Sequence, residues 1–308
     1  MAVIAIDLGG TKLAAALLTS RGRVEHRTVA PLDRRRGKAV GKLICLATRA
    51  LLDVASVKRM RITGVGVCVP GISDRRSGRV WAPNIPGWTN YPLRRELSAS
   101  LSGHRIPVAI DSDRACSILG ESWRGAARGC RDAIFLSVGT GIGAGIMVDG
   151  RILRGPLGIA GAIGWLALDR PFRREYVGCG CFEYHASGRA LAKVARAFRR
   201  TDILPVPDIF SDYHRGDPGA RAVIAQAIEF WGMAVANLVS LFNPRKIIFG
   251  GGVFGPALEF LDLIRLEAHK WAQPVAIRHV IFEGTRLEGD AALYGAGYLA
   301  LRTAKEIH

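Results

Sequence analysis

Two glycine-rich turns constrain this chain more than anything else in it. Ser137-Val-Gly-Thr-Gly-Ile-Gly-Ala-Gly145 lies between the apolar runs Ile134-Phe-Leu136 and Ile146-Met-Val148. Four glycines at alternate positions clear side chains from the backbone, so its N–H groups can close on an anion. An earlier stretch has the same build. Val3-Ile-Ala-Ile6 leads into Asp7-Leu-Gly-Gly-Thr-Lys12 and out through Leu13-Ala-Ala-Ala-Leu-Leu18. Each reads as strand, small-residue turn with a threonine, strand. Two such turns predict two related half-domains addressing one polyphosphate, with the acid pair Asp111-Ser-Asp113 where the halves meet.

Other glycine motifs fit less well. Gly139 to Ala144 matches G-x-G-x-x-G/A, but that motif opens a helix and leads to an acidic residue about 20 positions on. Here an apolar strand follows and ends in Asp149-Gly150, a hairpin-type turn. No Gly-Lys-Ser/Thr is present, which excludes a Walker A loop. Plain hairpins that happen to use glycine explain either turn alone, but poorly explain two matching ones.

At 308 residues, 49% hydrophobic, the chain can build one large or two medium cores. No apolar run reaches the roughly 18 residues of a membrane span. No basic leader precedes Val3, so a cytoplasmic protein is expected, with its six cysteines as free thiols. The net charge of +17 suits a polyanionic partner or an arginine-rich solvated surface. Its basic clusters are short: Arg34-Arg-Arg36, Arg75-Arg76, Arg173-Arg174 and Arg199-Arg200. They lack interleaved aromatics, zinc-finger spacing and a helix-turn-helix, so neither nucleic acid nor membrane is an expected partner.

In chain order, β structure is predicted at 23–30 and a helix at 38–56. A buried strand at 61–69 ends in Pro70-Gly71, and an ordered loop rich in proline and glycine spans 78–88. A short helix at 93–101 leads to a strand at 106–110, and a helix at 113–125 follows. That arrangement sets the acid pair at a strand's C-terminal end, where α/β sheets place their chemistry. Beyond the second glycine turn, a small-residue loop covers 155–164 and a helix runs from 182 to 200. Asp217-Pro218 caps a long helix to Phe242, which Asn243-Pro244 stops. A strand at 246–249, Gly250-Gly-Gly252, a helix from Pro256, a strand at 276–282 and a last helix from Gly289-Asp290 to about Lys305 complete the chain.

Several blocks together resemble the ROK (repressor/ORF/kinase) family of sugar kinases and regulators, in the actin/hexokinase-like superfamily. They are Asp-Leu-Gly-Gly-Thr-Lys at 7–12, Val-Pro-Gly at 69–71 and Ala-Pro-Asn-Ile-Pro-Gly-Trp at 82–88. Asp-Ser-Asp with a downstream Leu-Gly-Glu at 111–121, Gly-Thr-Gly-Ile-Gly at 139–143 and Gly-Cys-Phe-Glu at 180–183 follow. Asn-Pro-Arg-Lys-Ile-Ile-Phe-Gly-Gly-Gly at 243–252 and Gly-Asp-Ala-Ala-Leu-Tyr-Gly-Ala at 289–296 complete the set. The resemblance implies an α/β fold of two ribonuclease-H-like (actin-like ATPase) domains with a cleft between them. The expected division is 1–112 plus 290–308 for the first and 113–289 for the second.

It further implies a carbohydrate kinase that moves the γ-phosphoryl group of ATP to a sugar hydroxyl, a homodimer, and Mg²⁺ beside ATP as cofactor. Asp113 matches the family's catalytic aspartate, which takes the proton of the attacking hydroxyl; taken by itself it equally suits a helix N-cap. Asp7 matches the residue that holds Mg²⁺, through water. Gly9, Gly10, Thr11 and Lys12, with Gly139, Thr140 and Gly141, are expected at the phosphates, and Gly251 and Gly252 at the nucleoside. Gly71, Asn84, Ser112, Asp113, Trp165 and Glu183 are expected at the acceptor.

Departures from the family pattern matter as much. Where the family carries Gly-Glu-x-Gly-His, this chain has Gly161-Ala-Ile-Gly-Trp165, without the Glu and His that contact the sugar. The family's zinc cysteines are reduced to Cys181, with Arg174 and Tyr176 at two of the positions. A remnant of Cys179, Cys181 and His185 can be drawn, but no zinc is expected. Trp165 suits stacking on an apolar ring face or core packing. An amino sugar, cyclitol or glycoside is a better expected acceptor than plain glucose, because lost hydrogen-bonding partners weaken the hold on its hydroxyls. The alternatives are a catalytically weak or silent sugar-binding regulator of the family and a polyphosphate-dependent glucokinase. The family's DNA-binding regulators carry an N-terminal helix-turn-helix, for which the turn at Asp7 leaves no room.

Overall fold

A computed structural model of the chain describes residues 1–199 and 205–307. Two compact units emerge, one of residues 1–128, 154–160 and 290–308, the other of residues 129–153 and 161–289.

The first unit is built on a five-stranded sheet. Strand β1 (Ala2–Leu8) turns into antiparallel β2 (Lys12–Thr19), which pairs with β3 (Val24–Pro31). Helix α1 (Lys38–Val57) crosses to β4 (Ile62–Val69), parallel to β1. A ribbon of β5 (Ile72–Ser73) and β6 (Val80–Trp81) precedes α2 (Leu93–Ser100). Strand β7 (Val108–Ser112) closes the sheet in the order β3-β2-β1-β4-β7 and runs straight into α3 (Asp113–Arg124). The central strands are apolar almost throughout because both their faces are covered. Helix α1 turns Val40, Ile44, Leu51 and Ala55 into that core.

The second unit repeats the plan. Strands β8 (Ala133–Val138) and β9 (Ile142–Val148) form a hairpin, and short β10 (Arg151–Ile152) extends it. Helices α4 (Cys181–Ala186), α5 (Gly188–Arg199), α6 (Val206–His214) and α7 (Pro218–Phe242) come next. Strand β11 (Lys246–Gly250) lies parallel to β8; after α8 (Leu261–Trp271) and α9 (Pro274–His279), β12 (Ile281–Gly284) completes the order β10-β9-β8-β11-β12. Helix α10 (Ala291–Ile307) returns to the first unit and packs on α3, β1 and β4. Both glycine turns are the tips of the first hairpin of their sheet.

Several local expectations are corrected. The first unit holds α3 and residues up to Arg128, beyond the boundary expected at 112, because α10 packs along α3. The helix expected over 182–200 breaks at Ser187, whose backbone is extended and whose hydroxyl caps α5 through the Ala190 N–H at 3.2 Å; Arg200 lies outside the described residues. The strand expected at 276–282 is mostly helix. Gln273 Oε1 accepts the N–H groups of Val275 and Ala276 at 2.8 and 2.7 Å, and Pro274 fits the first helical position, so only Ile281 onward reaches the sheet. The segment from Pro256 starts as a 3-10 turn before α8, and α6 has no counterpart in the sequence reading.

Helix α7 holds no unbroken apolar run of a membrane span's length, but it is the one helix among the described residues that is long and apolar enough on average to match such a span. Trp231, Val235, Leu238 and Val239 nevertheless lie buried in the second core, as expected of a central helix in a protein interior. Asp217 caps its start by accepting the Ala220 N–H at 2.7 Å, and Asn243 ends it in a left-handed conformation.

Candidate active site

In the first unit, Asp7 occupies the end of β1, between Ala14 on β2 and Cys68 on β4. Burial pushes its carboxyl pKa up to about 6. A hydrogen bond with the Cys68 thiol opposes the rise, Asp113 and Asp290 add to it, and Lys12 works against it. Just beyond, the Gly9 N–H donates to the Lys12 carbonyl at 2.9 Å and closes the turn. Gly10, Thr11 and Lys12 are left exposed at its tip.

Strand β7 delivers the acid pair, and the structure gives its two members different tasks. Both Nε and Nη2 of Arg154 donate to Asp111 Oδ2, at 2.9 and 2.6 Å, and the Ser112 N–H donates to Oδ1 at 2.9 Å. Asp111 is a buried structural anion. Ser112 caps α3, its hydroxyl accepting the Ala115 N–H at 3.3 Å. Asp113 is therefore released from the capping role and becomes the first residue of the helix, where the helix dipole favours a carboxylate. Its side chain is exposed. The surrounding protein raises its pKa, whereas Arg114 and the backbone N–H at 2.8 Å lower it.

The other acceptor candidates of this unit lie on two loops. Gly71 has φ of 134° and sits against the Trp81 carbonyl beside the β5–β6 ribbon. Asn84 is exposed in a loop locked by its own backbone, Ala82 N–H to Trp88 O at 2.8 Å and Trp88 N–H to Ile85 O at 3.0 Å. The Trp88 indole anchors it further, donating to Gly37 O at 3.0 Å and stacking on Tyr91 at 4.4 Å.

In the second unit the glycine turn, α4, α5 and the β11 exit converge. The Gly139 N–H donates to Gly141 O at 2.9 Å, and Gly139 O accepts the Gly188 N–H at 2.8 Å. The Ile142 N–H donates to Glu183 Oε2 at 2.7 Å, so Glu183 is fixed to the turn, and burial raises its pKa. Gly251, with φ of 88°, presses on β8: a Cβ there would stand 2.5 Å from Val138 O. That contact requires glycine.

Gly139, Thr140 and Gly252 line a cavity of about 590 Å³ together with Gly188, Arg189, Ala192, Arg196 and Val206. The last five were not anticipated. They come from α5 and the start of α6, and no local motif marks residues that line a site only because two helices fold over it. The volume lies in the range of small-molecule sites.

Trp165 is 58% exposed, which settles the choice left by the sequence against core packing. His185 belongs to a hydrogen-bonded cluster. Its Nε2 lies 2.8 Å from Tyr176 Oη and 3.3 Å from Asp169 Oδ2, and its ring stacks on Phe230 at 4.3 Å. The Cys179 thiol points to the Gly180 carbonyl. Among the described residues, no three His, Cys, Asp or Glu side chains are placed to share a metal ion.

The repeated sheet order with a glycine turn at each first hairpin defines an actin-like ATPase fold. The ROK hexokinase of Thermus thermophilus has a similar structure, with a TM-score of 0.83 at 32% identity over 99% of this chain and 100% of that one. The ROK family model matches residues 3–303, and the chain belongs to that family. It is 30% identical over 314 residues to a glucokinase of Halalkalibacterium halodurans, covering 96% of this chain and 94% of that protein. It is also 30% identical over 311 residues to an N-acetyl-D-glucosamine kinase of Escherichia coli O157:H7, covering 96% and 98%.

Proposed function

We propose that this chain is an ATP-dependent carbohydrate kinase acting on a sugar-like acceptor other than plain glucose. The observation that carries the reading is Asp113: an exposed carboxylate freed from capping by Ser112 and set in one unit with Asp7 and the Gly9–Lys12 turn. Phosphoryl transfer asks the protein mainly for positioning and charge neutralisation. The acceptor hydroxyl oxygen bonds to the γ-phosphorus as the bond to the β,γ-bridging oxygen breaks, ADP departs, and Asp113 Oδ receives the hydroxyl proton. In the first unit Thr11 and the N–H groups of its turn suit phosphate oxygens; in the second, Thr140 and the cavity of about 590 Å³ beside it suit a nucleotide.

Asp7 suits Mg²⁺. It is a hard oxygen donor with a pKa raised by burial and by Asp113 and Asp290, an environment that a cation relieves. Bound there, Mg²⁺ supplies charge neutralisation at the transferring phosphates.

On the acceptor side, Ala162 and the exposed Trp165 offer an apolar surface where the family pattern has Glu and His, which favours an amino sugar, cyclitol or glycoside. Glu183 keeps one oxygen on the Ile142 N–H, which orients the other for an acceptor hydroxyl. A cytoplasmic homodimer is the expected working form, and sedimentation equilibrium tests the dimer. The deciding experiment is a coupled ADP-release screen over sugars, amino sugars and cyclitols with ATP and polyphosphate as donors. A clear preference for plain glucose defeats the acceptor assignment, and activity that survives Asp113→Asn removes Asp113 from its role.

A further inference from the structure

The segment 32–37 carries three consecutive arginines and is fastened at both ends to the candidate site. At one end the Leu32 N–H donates to the Thr11 carbonyl of the glycine turn at 2.8 Å. At the other, the Gly37 N–H donates to Pro86 O at 2.8 Å, and Gly37 O accepts the Trp88 indole N–H, both from the Asn84 loop. The segment thus spans from the phosphate turn to the acceptor loop within one unit. A cavity of about 350 Å³ opens where they meet, lined by Gly10 and Thr11, by Asn84, by Asp33 and by the arginines.

The three arginines are not equivalent. Arg35 folds back on its own loop, donating to the carbonyls of Pro31 and Leu32 at 3.2 Å and pairing with Asp33 at 2.9 Å. That neutralises the segment's one acid and stiffens the turn. Arg34 and Arg36 line the cavity with no side-chain ion pair or hydrogen bond among the described residues. Arg34 is held in a left-handed conformation, φ 59°. Two arginines without a side-chain partner, each able to bind an oxyanion bidentately, therefore line a pocket shared with the acceptor loop.

We infer that Arg34 and Arg36 form an anion subsite for a phosphate or carboxylate that the acceptor carries away from its reacting hydroxyl. The inference rests on the kinase reading above and adds anionic carbohydrates, such as sugar phosphates and sugar acids, to the acceptor classes. It gives the acceptor a charged anchor within the first unit.

The test compares the wild type with the double variant Arg34→Asn/Arg36→Ala; asparagine tolerates the left-handed backbone, and both side chains are exposed. Isothermal titration with glucose 1-phosphate, glucuronate and glucose is run beside initial-rate kinetics. Expected is binding of the two anions that weakens about 10- to 100-fold in the variant. The KM for the anionic acceptors should rise likewise, with KM for ATP and turnover of neutral sugars unchanged. Equal binding by both proteins overturns the inference and leaves the arginines as solvated surface charge. A rise confined to the KM for polyphosphate as donor also overturns it, since the subsite would then serve the donor. If no acceptor is phosphorylated, the kinase reading fails by itself, while the titration still decides the subsite.

Discussion

Asp7 and Asp113 are both carboxylates of the first unit, and their surroundings assign them different sensitivities. Replacing Asp113 with Asn removes the proposed proton acceptor without altering the cap, which Ser112 provides. Expected is a fall in kcat of about 10²- to 10⁴-fold with little change in the KM for ATP, measured by coupled ADP release. Asp7 is the opposite kind of residue, costly to the resting fold. Its folded pKa of about 6 exceeds the ordinary aspartate value of 3.8, so the native state holds its proton more tightly than the unfolded chain does. That stabilisation is complete below pH 3.8 and is lost as pH rises through about 6. The loss is about 3 kcal/mol if every neighbour stays fixed. Without a divalent cation, Asp7→Asn should therefore be more stable than wild type by about 1–3 kcal/mol in urea unfolding at pH 7.5. The advantage should disappear toward pH 4, and the variant should be inactive. A variant less stable at pH 7.5 would show that Asp7 is structurally satisfied instead.

Among the elements, α10 illustrates how small residues set an architecture. It lies so close to α3 that a Cβ on Gly295 would run into the Cys116 carbonyl. Two effects oppose each other in Gly295→Ala. Helix propensity favours alanine by up to ~1 kcal/mol, but the clash is with backbone, which cannot rotate away. Overpacking of this kind costs about 1–3 kcal/mol, so the variant should be destabilised, and urea unfolding checks the sign. The sequence showed the helix and its Gly-Asp start but not this contact, because the helix it meets lies more than 150 residues upstream. A local cause explains α9 instead. Its residues satisfy strand patterning, and a Gln273 side chain turned onto two backbone N–H groups makes them a helix. Ser187 likewise divides one expected helix into two by capping the second.

Taken whole, the molecule is strongly basic, with a net charge of +17 against a polyanionic nucleotide. Charge steering of this sort is screened. Between about 0.01 and 0.1 M salt the Debye length falls from ~30 to ~10 Å. The KM for ATP should rise several-fold over that range in initial-rate assays, while that of a neutral acceptor stays flat. A flat response for ATP would make the positive charge irrelevant to nucleotide capture. At this scale, too, the sequence and the tertiary structure divide the account. By itself the sequence determined the two glycine-tipped hairpins, the repeat of one sheet plan, and the placement of Asp7 and Asp113 at strand ends. These follow from strand alternation, turn chemistry and capping, which act over a few residues. Only the tertiary structure decided that Asp111 belongs to Arg154, that Trp165 is exposed, and that α5 and α6 wall the cavity beside Thr140. Each depends on which side chains meet after distant segments pack. Spacing along a chain cannot specify that.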